Sequence, residues 1–329
     1  MNNFRKIGMT ALAASLVSTS AFAGEITASA SASLTMEGYS GSQVNTSRGI
    51  SMADSVMLTG STELDNGLTV SMSFELDDSG DVENSFDDHF VSISSDSLGT
   101  VKFSGNGGST ASSAIDGTAA GDLWDNFDGA AYIGAAATAV SAAAAGNNNV
   151  FYTSPDFEGF TLTASYRQDG SPEMNGTTAL GNFSATGIGA NYTGVEGLSL
   201  HYAVTDVETN AANSTGDQTA MKVSYAYGPV TVAYSNNDYD VGLATSDQET
   251  TSYNISYTVS ESISIGYGQE TIDDGDSTKV DAEYSGVNAS YTAGGMTISA
   301  KMIDAENVAG GTGATEDGEY WSLGLAFAF

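Results

Sequence analysis

Residues 25–38 read EITASASASLTMEG, and the order of these letters decides how the chain folds. Ile26, Ala28, Ala30, Ala32, Leu34 and Met36 fall on one parity, while Thr27, Ser29, Ser31, Ser33 and Thr35 fall on the other. A period of two belongs to an extended strand, whose successive side chains point to opposite faces. A helix would scatter both sets around its circumference. The stretch therefore predicts a β-strand with one apolar face and one hydroxyl-lined face.

Outward from it the pattern repeats. Ser55 to Leu64 is a second such run, ending at Asp65-Asn66-Gly67, a hairpin turn sequence. Leu68, Val70, Met72, Phe74 and Leu76 then alternate with Thr69, Ser71, Ser73 and Glu75. Later turns fall at Gly194-Val195-Glu196-Gly197, Gly228-Pro229 and Ala293-Gly294-Gly295. One segment breaks parity. In residues 279–292, KVDAEYSGVNASYT, Tyr284 and Val287 cannot share a face, so a β-bulge is expected near Ser285-Gly286.

The runs number about sixteen, and short turns alternate with long loops along the whole chain. An up-and-down barrel segregates its connections in this way, and a membrane barrel has short turns at one end and long loops at the other. Strands near ten residues long suit a tilted bilayer crossing. A barrel of about sixteen strands is too wide for side chains to fill, so the polar face must line water and the apolar face must meet lipid. The fold class is thus all-β, a transmembrane up-and-down antiparallel β-barrel.

Composition narrows the function. The chain has 329 residues with 39 Gly, 3 Pro, no Cys, and 8 Lys+Arg against 41 Asp+Glu, for a net charge of −33. Such acidity excludes a nucleic-acid partner, whose phosphates need bases. The lack of Cys excludes disulfides and thiol chemistry. Arg5 and Lys6, the apolar stretch from Met9 to Val17 and the Ala21-Phe22-Ala23 site predict a signal peptide over residues 1–23, with a barrel over 24–329. Of the few cations, Lys102, Arg167, Lys222 and Lys301 share the polar parity, as does Glu75. These five are expected to line the pore wall, because a charge facing lipid is costly.

A cleaved signal, about sixteen alternating strands, one very long third loop and a final strand WSLGLAFAF ending in Phe329 resemble the trimeric general-diffusion porins of Gram-negative outer membranes. The resemblance covers the whole chain after the signal. It implies a passive channel for small hydrophilic solutes, set in outer-membrane lipid and lipopolysaccharide. It also implies that residues 106–148 fold into the barrel as a constriction, with Asp116, Asp122, Asp125 and Asp128 at the pore. Phe329 would be the signal for the outer-membrane assembly machinery. The family's cluster of wall arginines is not visible in the early strands, which offer Lys102, with Arg48 in the first loop. With few bases to offset the acids, a cation preference is expected.

Other readings are weaker. No enzymatic activity is expected: the two histidines, His89 and His201, lie in different strands, and His201 beside a lumenal Ser or Thr is the nearest approach to a nucleophilic site. No cofactor is expected beyond divalent ions held loosely on acidic external loops such as Asp273-Asp274-Gly275-Asp276, with no defined metal site. A substrate-specific channel would share the barrel, and a secreted acidic adhesin would share the composition but not the loop alternation. Finally, the Tyr on apolar parity are concentrated in later strands, from Tyr166 to Tyr267, whereas between Gly24 and Ala131 the one Tyr is Tyr39, beside a loop. The first strand presents Ala28, Ala30 and Ala32, and Phe74, Phe90 and Phe103 are the candidates for partial lipid anchors on this side. Membrane barrels carry aromatic girdles at the lipid interface. The bare face is therefore expected to be the subunit interface of a homotrimer.

Overall fold

The computed structural model describes residues 26–41, 48–77, 88–127, 148–169, 183–209, 216–240, 247–310 and 317–329. The expected signal peptide, Asp128 and the Ala-rich run near residues 133–146 lie outside them. The strands are β1 (Ile26–Gly41), β2 (Arg48–Glu63), β3 (Thr69–Asp77), β4 (His89–Ser95), β5 (Gly99–Asn106), β6 (Asn149–Thr153), β7 (Phe160–Asp169) and β8 (Phe183–Tyr192). They continue as β9 (Leu198–Thr209), β10 (Gly216–Tyr227), β11 (Val230–Asp240), β12 (Gln248–Ser260), β13 (Ile263–Asp273), β14 (Ala282–Ala293), β15 (Met296–Glu306) and β16 (Gly318–Ala328).

Each strand pairs with its neighbours in the chain, and β1 closes on β16, so the sixteen make one barrel. At the seam Ser31 faces Ala328 and Gly41 faces Gly318. The last residue completes it: Phe329 N–H donates to Ala30 O at 2.9 Å and Ala30 N–H donates to Phe329 O at 3.2 Å. Closure leaves no edge, which is the condition for a sheet to sit in hydrocarbon. Gly228 and Pro229 alone join β10 to β11, whereas residues 107–148 join β5 to β6, the third of the long connections.

The two faces differ as the alternation requires. Ile188, Tyr202, Ile255, Tyr257, Ile265, Tyr267 and Val287 are exposed on the outside. Inside, hydroxyls meet across the strands: Thr27 and Thr59 Oγ1 are 2.7 Å apart, and Ser31 and Ser55 Oγ are 3.1 Å apart.

Several local expectations need correction. β2 begins at Arg48 and not at Ser55, so Arg48 belongs to a strand and not to the first loop. No bulge occurs near Ser285: the register of β14 runs unbroken against both β13 and β15. The parity break is real but has another cause. Tyr284 is turned into the barrel and buried, and Val287 is turned outward. The register shifts fall instead between His89 and Phe90 and between Thr258 and Ser260. Phe90 is also turned inward, with Lys102 Nζ 4.4 Å from its ring centre, so it is no lipid anchor.

The face assignment is testable on neighbouring residues of β12. Ile255→Lys places an ammonium on the outer wall and should destabilise the barrel by about 2–4 kcal/mol if it sits near mid-bilayer. Ser256→Lys, on the lumenal parity, should change stability little. Urea unfolding in lipid vesicles reads the difference, and equal losses would refute the assignment.

Candidate pore constriction

A chain segment inside a water-filled barrel has no strand ladder to join, and where it packs on the wall its backbone groups leave water and need partners there. The third long connection finds them on the wall. Ala111 N–H donates to Ser165 Oγ on β7 at 2.8 Å, Ala119 N–H to Ser235 Oγ on β11 at 2.8 Å, and Ala120 N–H to Ser252 Oγ on β12 at 2.9 Å. Ser112 Oγ donates to Thr205 Oγ1 on β9 at 2.6 Å. The loop thus follows the inner wall from β7 round to β13. Small residues make the approach possible. A Cβ on Gly268 would stand 2.5 Å from the Ala120 Cβ, and one on Gly187 would stand 2.9 Å from the Ala111 Cβ.

A buried carboxylate fixes the next turn. Glu270 of β13 accepts hydrogen bonds from the Thr118 hydroxyl and, at 3.1 Å, from Trp124 N–H. Thr118 and Asp122 close the turn reciprocally: Thr118 N–H donates to Asp122 Oδ1 at 2.9 Å and Asp122 N–H donates to Thr118 Oγ1 at 2.7 Å. A short 3-10 turn, Trp124–Phe127, follows.

That turn delivers Phe127 into an apolar cluster within the lumen. Phe127 is fully buried against Tyr39, Tyr284 and Tyr320, with ring centres 6.4, 5.6 and 6.4 Å away. Leu123, Ile272, Ile303 and Val308 belong to the same cluster. The inner face of β13 to β16 is therefore not uniformly polar, contrary to the simple reading of the barrel. Tyr284 breaks the alternation because it packs on the loop and not on lipid.

The acids expected at the pore are placed as follows. Asp116 and Asp122 are half-buried and Asp125 is exposed. Burial, and secondarily the nearby Asp122 charge, push the Asp116 carboxyl up to about 6, against the lowering influence of a Gln218 hydrogen bond and of Lys222. The bases on this side hold the loop. Lys222 Nζ donates to Gly117 O at 2.6 Å, and Lys301 Nζ donates to Asn126 Oδ1 at 3.1 Å. Asn237 Nδ2 donates to Asp116 O. Arg167 stands across from Asn149, beside the root of the loop.

The opposite wall, β1 to β5, carries many Ser and Thr on its inner parity, together with Glu37, Glu63, Glu75 and Asp77 and the larger Tyr39 and Met57. Its base is Lys102, which with Ser104 and Phe151 faces Ser109 and Ala114 of the loop across a gap of about 270 Å³. The structure thus brings Asp116, Asp122 and Lys222 together, sets Lys301 against the loop at Asn126 and Lys102 beside its start at Ser109, and leaves Glu75 on β3, outside these contacts. Of the anchors, Glu270 and Tyr320 were not singled out by sequence, and no contact among Phe127, Tyr39 and Tyr284 was expected. The parity break at Tyr284 was their one visible trace.

A closed sixteen-stranded membrane barrel with a loop packed inside it defines a porin. A family model described as Gram-negative porin matches residues 8–285 of this chain. The chain belongs to the Gram-negative porin family, whose members are outer-membrane channels. A search among curated proteins finds no match. Solved structures with a similar fold include a porin refined at 1.8 Å resolution, with a TM-score of 0.65 and 18% identity, covering 93% of this chain and 100% of that one. The anion-selective porin from Comamonas acidovorans gives 0.66 and 17%, with the same coverages of 93% and 100%. A mutant of the Rh. blastica porin gives 0.63 and 18%, again covering 93% and 100%.

Phe127→Ala should remove most of the loop's apolar anchor, a loss of about 3–5 kcal/mol by analogy with other buried Phe truncations. The barrel itself should still fold. The expected outcome is a larger, noisier single-channel conductance and faster proteolysis of the segment from Gly105 to Phe127. A conductance trace identical to that of the parent would mean that the cluster does not hold the loop.

Proposed function

We propose that this porin is a general-diffusion pore for small hydrophilic solutes and ions, with a preference for cations. The observation that carries the preference is the distribution of charge about the third loop. Asp116, Asp122 and Asp125 lie on the loop and Glu75 on the facing wall, while two of the nearby bases, Lys222 and Lys301, donate to the loop's own oxygens. The facing wall is hydroxyl-lined and carries no cluster of arginines among the described residues. A lumen with this balance has a negative potential and concentrates cations. The barrel shape cannot set the sign, since a similar barrel is described as anion-selective.

Reversal potential across a salt gradient in planar bilayers tests both parts. No stepwise conductance would end the channel reading for the purified protein. Replacing Asp116, Asp122, Asp125 and Asp128 by Asn should lower the cation preference, most visibly at low salt, where screening is weak. Acidity should act in the same direction. Asp116 carries its charge at neutral pH and takes up a proton as the pH falls through about 6, so the preference should weaken over that interval. Asp116→Asn should lack that step. A reversal potential unmoved by substitution and by pH would refute the assignment.

The same proposal includes a homotrimer with β1 at the contact. Its support is the uneven aromatic belt. Tyr166, Tyr202, Tyr225, Tyr257 and Tyr267 are exposed on the outer wall, but Tyr39 of β1 is turned inward onto Phe127. Ala28, Ala30 and Ala32 leave a smooth stretch on the outer face of β1 between the exposed Ile26 and Leu34. Ala30→Trp overpacks such a contact, at a cost of about 1–3 kcal/mol. Trimers of that variant should dissociate at lower temperature on semi-native gels. Ala164→Trp, placed in an outer groove beside Leu162 and Ile188, should do little. Equal behaviour of the two would exclude β1 as the interface. Phe329 as assembly signal, contact with lipopolysaccharide, and divalent ions on the acidic loops belong to the same reading.

A further inference from the structure

Three residues on the lumenal wall form a hydrogen-bonded relay. Ser199 and His201 stand two apart on β9, so the strand period puts both side chains on one face. Asn191 of β8 is the cross-strand partner of His201. Asn191 Nδ2 lies 3.4 Å from Thr161 Oγ1, to which it donates, and this turns the amide oxygen toward the ring. His201 Nδ1 is 2.7 Å from that oxygen. An amide oxygen can only accept, so Nδ1 holds the ring proton and Nε2 is left with a lone pair. Ser199 Oγ lies 2.6 Å from Nε2 and donates to it. All three residues are half-buried and can be reached from the lumen. Hydroxyl, imidazole and orienting acceptor, in that order, are what converts a serine into a nucleophile.

A positive charge stands beside the relay. Lys222 of β10 is the cross-strand partner of His201 on its other side. Its contact with Gly117 O uses one of three ammonium protons. Ser199 lies two residues from His201 toward the turn at residues 193–197, below the level at which Lys222 holds the loop.

We propose that the lumenal wall of this porin carries a hydrolytic site for small, water-soluble carboxylic esters, with Ser199 as nucleophile, His201 as general base and Asn191 as positioning residue. Ser199 Oγ attacks the ester carbonyl carbon as its proton passes to His201 Nε2. Lys222 supplies charge to stabilise the oxyanion. The C–O bond to the alcohol breaks, the proton on Nε2 goes to the leaving alkoxide, and the acyl group stays on Ser199. Water then gives a proton to Nε2 and adds to the acyl carbon. The acid leaves, and the proton returns to Ser199 Oγ. The sum is ester plus water to acid plus alcohol, with no other reactant. Elsewhere on the lumenal wall Ser264 and Ser290 meet each other at 2.7 Å, hydroxyl to hydroxyl with no imidazole, and serve as the contrast.

The test uses the full-length protein in detergent, where both mouths are open and access does not depend on the membrane. One arm measures hydrolysis of p-nitrophenyl acetate, and the other maps the adduct left by a fluorophosphonate by peptide mass. The expected adduct is on Ser199 and not on Ser290. His201→Ala should cut hydrolysis by about 10²–10⁴-fold, the usual contribution of a positioned base. Asn191→Leu should lose activity and Asn191→Asp, which keeps an acceptor, should restore it. Ser290→Ala should behave as the parent. If Ser199 takes no adduct, or Ser199→Ala hydrolyses as fast as the parent, the proposal falls. Bilayer conductance of the same preparation is read separately, so failure of the hydrolytic site and failure of the channel are distinguishable.

Discussion

Every other feature of this protein depends on one requirement: in hydrocarbon, each backbone N–H and C=O must find a partner within the protein. A sheet meets it only by closing on itself. Closure falls on the pairing of β1 with β16, and its last hydrogen bonds are those between Ala30 and Phe329. The side chains follow from that geometry. Alternation, written as EITASASASL in the first strand, sends one parity to lipid and the other to water.

The requirement returns in another form at the third loop. There the surrounding medium is water and not lipid, so the loop could stay solvated without penalty. It is held because the wall offers better terms: hydroxyls at Ser165, Ser235 and Ser252, a buried Glu270, and an apolar cluster around Phe127. Hydrogen bonds that merely replace water contribute about 1 kcal/mol each. Burial of Phe127 and Leu123 contributes more per residue. The polar contacts therefore set where the loop lies, and the aromatic cluster supplies most of the force that keeps it there.

This division explains what the sequence disclosed. Strand alternation, the rhythm of short and long connections and the position of the third loop were all legible, because each is a one-dimensional pattern. The loop's anchors were not. Glu270 reads as one more acid on a polar parity, and Ser165, Ser235 and Ser252 read as ordinary lumenal serines. Their roles come from strands far apart in sequence meeting one segment in space. Tyr284 was different. It broke the alternation, and a break in a strict pattern has two physical causes: an extra residue in the strand, or an apolar neighbour on the watery side. The bulge reading chose the first, and the unbroken register of β14 decides for the second. The relay of Ser199, His201 and Asn191 was half legible in the same way. Two of its members are spaced by the strand period, but the third comes from register, which the sequence does not write.

Charge is the property that the fold leaves most open. Porin barrels of similar shape hold many sequences at under a fifth identity, one of them described as anion-selective. The sign of a lumen is set by a few side chains within about a Debye length of its narrowest part, roughly 8 Å at physiological salt. In the proposed pore those positions belong to Asp116, Asp122 and Asp125, and Lys222 and Lys301 are bound to the loop. A carboxylate pressed against the wall is also a carboxylate partly withdrawn from water, and so it holds its proton more tightly. Packing the loop onto the wall and keeping its acids fully charged are therefore opposed. Asp116 shows where that opposition settles, with a carboxyl that titrates at about 6 while Asp125, left exposed, faces the lumen water.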